Sequence, residues 1–357
     1  MHRIAVIPGD GIGHDVIAVA RSVLDAVAGA YDDLALEYDE LDWSCQRYAE
    51  TGSMMPEDGI DTLRSFDAIL LGAVGWPGVP DHVSLWGLLI PIRRAFRQFA
   101  NVRPARGMPG VAAPVRGADD MDLVVVRENV EGEYSEIGGR LNRGFSDEMA
   151  VQEAVFTRVG VDRIVRFAFD LARERGGHLT SATKSNGIVH TMPFWDERVR
   201  EVAEDYRDVE WNQLHIDALA ARVVSDPAGL DVIVASNLFG DILSDLTAAS
   251  AGSLGVAPSA NLDPTCEHPS MFEPVHGSAP DIAGQGVANP VAAVWSAAMM
   301  LDHLGHAEAS AHMMRAVEAS LADPDTRTRD LGGTASTEEA GAAIVGLVAD
   351  LAHSSGD

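Results

Sequence analysis

Lysine is almost absent from this chain: a single one, Lys184, stands against twenty-five arginines in 357 residues. Arginine stays charged at any pH a protein meets, whereas a lysine amine is tuned by burial or neighbours to release and retake a proton. A chain that uses arginine wherever a cation suffices singles out Lys184, in Thr183-Lys184-Ser185-Asn186, as a candidate proton carrier. Cysteine is nearly as scarce. Cys45 and Cys266 are too few for a disulfide framework and have neither zinc nor redox spacing. No apolar run approaches the ~20 residues of a membrane span. The strand-like Ile4-Ala5-Val6-Ile7 begins without the flanks of a signal peptide, so a cytoplasmic protein with no membrane partner is expected. Basic charge is outweighed, 26 Lys and Arg against 54 Asp and Glu, and the net charge of −28 argues against sequence-independent binding of nucleic acid. Pairs such as Asp32-Asp33, Asp119-Asp120 and Glu338-Glu339 read as solvated surface. Extreme acidity with lysine nearly absent suits a salt-adapted organism, and a bias towards GC-rich codons would also remove lysine.

What is present is an ordinary globular composition, 46% hydrophobic and 22% charged, without repeats or low-complexity blocks. The length suits two domains or one large α/β unit. Apolar runs at 4–8, 68–74, 123–127, 178–183 and 232–236 predict buried strands, and 13–29 predicts an amphipathic helix. Helical patterns close the chain at 290–304, 308–321 and 337–351. The alternation points to an α/β fold with much parallel sheet, in which ligands gather beyond the carboxyl ends of strands.

Chemistry-bearing residues follow several of those strands. After 232–236 a helical pattern begins near Gly240, which sets Asp241 and Asp245 on one face, four residues apart. Two like charges there repel, and a bound Mg²⁺ or Mn²⁺ would relieve them, since hard divalent cations take oxygen ligands. A solvated helix start is the plain alternative. Arg93 and Arg103 flank Phe99-Ala100-Asn101-Val102, and Arg127 ends the 123–127 strand, where a guanidinium can grip a carboxylate in a bidentate fork. Tyr134 lies in a run of ionisable residues and is a candidate general acid. Pro8-Gly9-Asp10-Gly11-Ile12-Gly13 lacks the spacing of a Rossmann glycine loop. The small residues of 273–284 allow close approach of a ligand to backbone, and His276, Asp281 and Asn289 could address an adenosine.

Together these segments resemble the β-decarboxylating dehydrogenases, the family of isopropylmalate, isocitrate, homoisocitrate and D-malate/tartrate dehydrogenases. The resemblance runs from Ile4 to about Gly333. It is carried by P-G-D-G-I-G at 8–13, A-N-V-R-P at 100–104, V-R-E-N-x-E-G-x-Y at 126–134 and T-K-S-N at 183–186. It continues through N-x-x-G-D-I-L-S-D at 237–245, E-P-V-H-G-S-A-P-D-I-A-G at 273–284 and A-N-P at 288–290. His14 departs from the proline usual after the first glycines, which puts the local start of the helix in question.

The resemblance implies a two-domain, non-Rossmann, isopropylmalate dehydrogenase-like fold with a discontinuous first domain. Residues 1–99 and 252–357 would bind the cofactor, and 100–251 would carry substrate and dimer contacts. It implies a homodimer with shared active sites, in which Arg93, Arg103, Arg127, Tyr134, Asp241 and Asp245 of one subunit meet Lys184 and Asp217 of the other. Asp217, Asp241 and Asp245 would hold the metal, with a monovalent cation left open as a further requirement. Lys184 would take the C2 hydroxyl proton, directly or through a neighbour, as hydride passes to the nicotinamide. Tyr134 would protonate the enol left by loss of CO₂. His276, Gly277, Ser278, Ala279, Asp281, Asn289 and Asn186 would bind the cofactor, with Asp281 favouring NAD over NADP through the ribose hydroxyl. Asp81-His82-Val83-Ser84-Leu85-Trp86-Gly87 resembles the D-malate/tartrate branch, with Trp86, Leu88 and Leu89 expected around the substrate's C3 group. D-malate or tartrate is therefore the expected substrate. The alternatives are 3-isopropylmalate, or a noncatalytic subunit of a related hetero-oligomer, against which the retained Tyr134, Lys184, Asp217, Asp241 and Asp245 speak.

Overall fold

The computed structural model describes residues 1–354. Its strands are β1 (His2–Gly9), β2 (Leu36–Glu40), β3 (Ala68–Ala73), β4 (Ala100–Arg106), β5 (Asp122–Glu128), β6 (Gly138–Leu141), β7 (Met149–Gln152), β8 (His178–Thr183), β9 (Glu210–His215), β10 (Val232–Ala235), β11 (Pro258–Leu262) and β12 (Ser270–Pro274). Ten of them form one sheet in the order β2-β1-β3-β12-β11-β4-β5-β10-β8-β9, while β6 and β7 pair as a separate hairpin. Parallel pairing joins β2, β1, β3 and β12, and again β5, β10, β8 and β9. Between these two blocks β11 and β4 run antiparallel to their neighbours. Every strand on the β11 side comes from residues before 100 or after 251, and every strand on the β4 side from between them.

Side chains alternate across a strand, and that alternation builds the core. Ile4, Val6, Ala68, Leu70, Val124, Val126, Val232 and Val234 face one continuous apolar cluster that spans both blocks. The Gly13–Ala28, Arg158–Arg175 and Val291–His303 helices cover it. On the opposite face the apolar packing is split. Ala5, Ile7, Ile69 and Leu71 belong to one cluster, and Leu123, Val125, Ile233 and Ala235 to another. Between them β11, β12, β4 and β5 place polar residues on that same face: Ser259, Asn261, Glu273, Asn101, Arg103 and Arg127. No helix among the described residues is long and apolar enough to cross a membrane.

The expected strands are all present, with ends moved by one or two residues. The Asn237–Ala251 helix begins three residues earlier than Gly240. Gly240 serves close packing there, since a Cβ on it would lie 2.6 Å from the Arg127 Cβ. Strands β4, β11 and β12 escape an apolar-run reading because one face of each is polar. His14 leaves the start of its helix intact, with Val16 N–H on the Ile12 carbonyl at 3.0 Å. The loop before that helix is a packing device. The buried Asp10 carboxylate accepts the N–H groups of Cys45 and Gly75, each at 3.0 Å, and Ile12 N–H bonds the Ser278 carbonyl at 2.8 Å.

Gly11 has φ of +57°, and a Cβ on it would stand 2.0 Å from the Ser278 oxygen. Gly11→Ala is therefore expected to cost about 2–4 kcal/mol in urea unfolding. Gly52→Ala, equally left-handed at φ of +82° but with nothing within 4 Å, should cost only about 1–2 kcal/mol. Equal losses would show that the contact with Ser278 is slack.

Candidate active site

The polar band between the two smaller cores is the floor of a cavity of about 220 Å³. Arg93, Arg103, Arg127, Tyr134 and Asp241 all line it, together with His276 and Gly277. Arg103 lies within β4 and Arg127 near the end of β5, and both are buried. Asp241 sits one turn into the Asn237–Ala251 helix. Arg127 binds Asp241 Oδ1 through Nη1 and holds Asn237 Oδ1 with Nε and Nη2 at 3.1 and 2.7 Å. Arg103 Nη1 reaches Ser244 Oγ at 2.7 Å and Asp241 Oδ1 at 3.4 Å. The Tyr134 hydroxyl donates to Asp241 Oδ2 at 2.9 Å. Arg93 donates to Glu273 Oε1 at 2.7 Å, and Glu273 also accepts from Asn261 Nδ2 at 2.8 Å.

Opposing forces act on each charge. Burial alone would raise the Asp241 carboxyl, but Arg127 and Arg103 prevail and hold it below its ordinary range. Burial, with repulsion from Arg103, weakens Arg127's hold on its proton, and Asp241 offsets this. Burial, then the negative charge of Asp241, raises the Tyr134 phenol, so it stays a protonated donor. Asp245 lies one turn on, 59% exposed and 3.6 Å from Arg103. Partial burial raises it.

Lys184 and Asp217 stand elsewhere in the single chain. They follow the carboxyl ends of β8 and β9, two and three strands from β5, roughly 10 and 14 Å at the usual strand spacing. Lys184 Nζ donates to Asp217 Oδ1 at 2.7 Å, and the ammonium lowers the Asp217 carboxyl. Neither lines the cavity. No three metal-ligating side chains come together among the described residues. Asp241 and Asp245 supply oxygen donors of the kind a hard divalent ion takes, but within one chain the set stops at two.

His276 Nε2 is buried without a hydrogen-bond partner, and burial lowers the ring's affinity for a proton. An orphaned, neutral imidazole beside Gly277, where a Cβ would meet nothing within 4 Å, fits a bound heterocycle. Ser278 Oγ is turned to the Gly75 carbonyl, Ala279 is only partly buried, and Asp281 and Asn186 are exposed. Asn289 is spent internally, donating to Asp330 and accepting the Val291 N–H at 3.0 Å each.

Two expectations about the wall need correction. Leu88 is fully buried in the core, and Leu85 faces the cavity beside Leu89, because 85–89 form a wide π-turn that shifts the phase. Trp86 is outside the cavity, under the Arg94 guanidinium at 5.1 Å. Arg94, Asn237 and Glu273 line the cavity but carry no role in the sequence reading. Asn237 and Glu273 were legible as motif letters, whereas nothing but adjacency to Arg93 marks Arg94.

The isocitrate/isopropylmalate dehydrogenase family model matches residues 3–344. A probable tartrate dehydrogenase/decarboxylase of Bacillus subtilis (strain 168) is 55% identical over 94% of this chain and 95% of its own length. The D-malate dehydrogenase [decarboxylating] of Escherichia coli (strain K12) is 52% identical over 97% and 98%. The crystal structure of isocitrate dehydrogenase from Methylococcus capsulatus superposes with a TM-score of 0.88 at 35% identity, covering 98% of this chain and all of that one.

Glu128 ends β5 beneath the site, fully buried, and Oε1 accepts the N–H groups of Val130 and Glu131 at 2.8 and 3.1 Å. Burial pushes its carboxyl up from 4.5 to about 7, although Arg163 at 3.6 Å opposes this. The folded chain therefore binds the extra proton between those values, and stability contributed below pH 4.5 is lost as pH rises towards 7. Glu128→Gln should remove that slope, worth about 3 kcal/mol. Urea unfolding at pH 5 and pH 8 checks it, and identical slopes for both proteins would place the proton elsewhere.

Proposed function

The chain belongs to the isocitrate/isopropylmalate dehydrogenase family, and we propose that it oxidatively decarboxylates D-malate and tartrate, giving pyruvate, CO₂ and NADH from D-malate. The observation that carries this is the cavity floor of Arg93, Arg103 and Arg127 facing Tyr134 and Asp241, in a chain half identical to decarboxylating dehydrogenases named for those two acids. Enzymes of this family use a nicotinamide dinucleotide and a divalent metal.

The three arginines orient the carboxylate that leaves, giving it a place only if it lies across the floor. A bound divalent cation would supply Lewis acidity towards the C2 hydroxyl and the enolate oxygen, and a bound nicotinamide would supply the hydride acceptor. Asp241, Asp245 and Asp217 of a second copy would hold Mg²⁺ or Mn²⁺. Lys184 takes the hydroxyl proton only as the free amine, so Asp217 must turn from it. Tyr134 returns a proton to C3, and the count closes: one leaves the hydroxyl, one arrives at carbon, and hydride departs with the electrons. Asp281, exposed beyond His276, suits a ribose hydroxyl and repels a 2′-phosphate, so NAD⁺ is the preferred acceptor. Residues 1–99 with 252–357, and 100–251, act as two domains about the cavity.

Support for a homodimer comes from the distance between Lys184 and the cavity, and from the exposed apolar side chains of the β6–β7 region: Ile137, Leu141, Phe145, Met149 and Val151. Shared sites make a sharp expectation. Lys184→Arg and Asp241→Asn each abolish turnover while NAD⁺ still binds, because arginine cannot serve as the base and the amide is a poor metal ligand. Unfolded together and refolded, the two variants regain about a quarter of wild-type activity, since half the dimers are mixed and each mixed dimer carries one intact site. No recovery would place both residues in one chain's site.

The substrate reading is tested by kcat/KM for D-malate, L- and meso-tartrate and 3-isopropylmalate, with Mn²⁺ and either NAD⁺ or NADP⁺. D-malate with NAD⁺ leads. Activity on 3-isopropylmalate stays detectable, because the wall of Leu85 and Leu89 is apolar and one methylene changes binding by only about 1–3 kcal/mol. A larger value for 3-isopropylmalate overturns the branch.

A further inference from the structure

One carboxylate beside the site has no part in the chemistry above. Glu133 precedes Tyr134 and reaches across to the helix that carries Asp241. Its Oε1 accepts the Ser236 hydroxyl at 2.7 Å, and its Oε2 accepts the Leu238 N–H at 3.0 Å. Ser236 occupies the N-cap position of that helix in extended conformation, where a serine ordinarily caps the first turn itself. Here its side chain makes no such bond and points outward to Glu133. The capping of the free Leu238 N–H is thus delegated to a residue of the tyrosine loop, whose negative charge also suits the positive end of the helix. A second tie runs in parallel, from Asn237 Nδ2 to the Glu131 carbonyl at 3.0 Å. Tyr134 itself makes one side-chain hydrogen bond, to Asp241.

We infer that Glu133 is a positioning residue for the reaction: it locks the loop of Tyr134 to the start of the Asp241 helix, and so sets where the tyrosine hydroxyl stands over the substrate. This rests on the reading of Tyr134 as the donor to C3. A cap supplied by the helix's own serine would stabilise the helix equally well but would give up this tie, leaving the loop joined to the helix start by the Asn237 amide alone. The division of labour therefore serves registration between loop and helix, because displacement of a catalytic group by even ~1 Å slows a reaction steeply.

The test separates the later half of the reaction from hydride transfer by supplying oxaloacetate, the keto acid that oxidation of malate yields, with Mn²⁺ and without NAD⁺. Glu133→Ala is expected to lower its decarboxylation by about tenfold or more, with the KM for NAD⁺ and the melting temperature near wild type. Glu133→Gln, whose amide can meet both partners, restores most of that rate. Ser236→Ala, which removes one tie and leaves the carboxylate, falls between them and carries the test if Glu133→Ala does not fold. Wild-type decarboxylation in Glu133→Ala or, should that variant not fold, in Ser236→Ala overturns the proposal. So does a Glu133→Gln as slow as Glu133→Ala, which would mean that the charge and not the tether matters. A wild-type protein that fails to accelerate oxaloacetate decarboxylation above the Mn²⁺ background would instead remove the reading of the reaction.

Discussion

The apolar packing under one face of the sheet is interrupted, and the site exists because of that interruption. A face that buried β11, β4 and β5 under hydrocarbon would have no room for Asn101, Arg103, Arg127 or Asn261, since a buried charge or amide without partners costs several kcal/mol. The chain meets that cost by pairing the groups with one another across strands. Asn261 Oδ1 accepts from Asn101 and Asn129 at 3.0 and 2.9 Å, and its Nδ2 passes the connection to Glu273 and so to Arg93. The antiparallel registers that set Asn261 beside Asn101 and Asn101 beside Arg127 are what put these groups on one face. Strand pairing thus dictates the location of the arginine floor.

On that floor the charges are held in a poised balance. Two buried guanidiniums near each other repel, and without a counter-charge each would sit poorly in a dry site. Asp241 supplies the counter-charge while also receiving the Tyr134 hydroxyl. The same carboxylate that neutralises the arginines is the one proposed to ligate a cation, so occupancy by cation and substrate would exchange one set of partners for another. On the proposed reaction, a substrate carboxylate would take the place of Asp241 at Arg127 and Arg103. Such sites store the cost of preorganisation in the folded chain and recover it on binding.

Helices then fix the remaining distances. Glu131 accepts from the N–H and hydroxyl of Thr157, which itself caps the Arg158–Arg175 helix at Gly160, and Glu133 caps the Asn237–Ala251 helix. Two acidic residues of one short loop thereby tie Tyr134 between two helix starts. Gly240 lets the second helix lie directly against Arg127.

Much of this was legible in residue order. The apolar runs revealed β1, β3, β5 and β10, because strands buried on both faces read as continuous hydrophobic segments, whereas β8 buries Thr180, Ser181 and Thr183 and carries only part of that signal. The lone lysine, the Asp241/Asp245 spacing and the arginines flanking 99–102 named candidate groups, of which the fold brings Arg93, Arg103 and Asp241 to one cavity. Strands β4, β11 and β12 stayed hidden, since the polar residues they bring to the cavity, Arg103, Ser259 and Glu273, erase their hydrophobic signature. The wall at 85–89 was misjudged at Leu88, because a π-turn changes which side chain faces inward and no local propensity announces it. Residue order by itself determined the donors, acids and cations that the chain can bring to a reaction. Only the tertiary structure decided which of them meet. Arg127 and Asp241 are brought into contact from 114 positions apart, while Lys184 and Asp217 remain with each other, two and three strands away. Strand order and register, set by packing over the whole sheet, are properties that no short stretch of sequence contains.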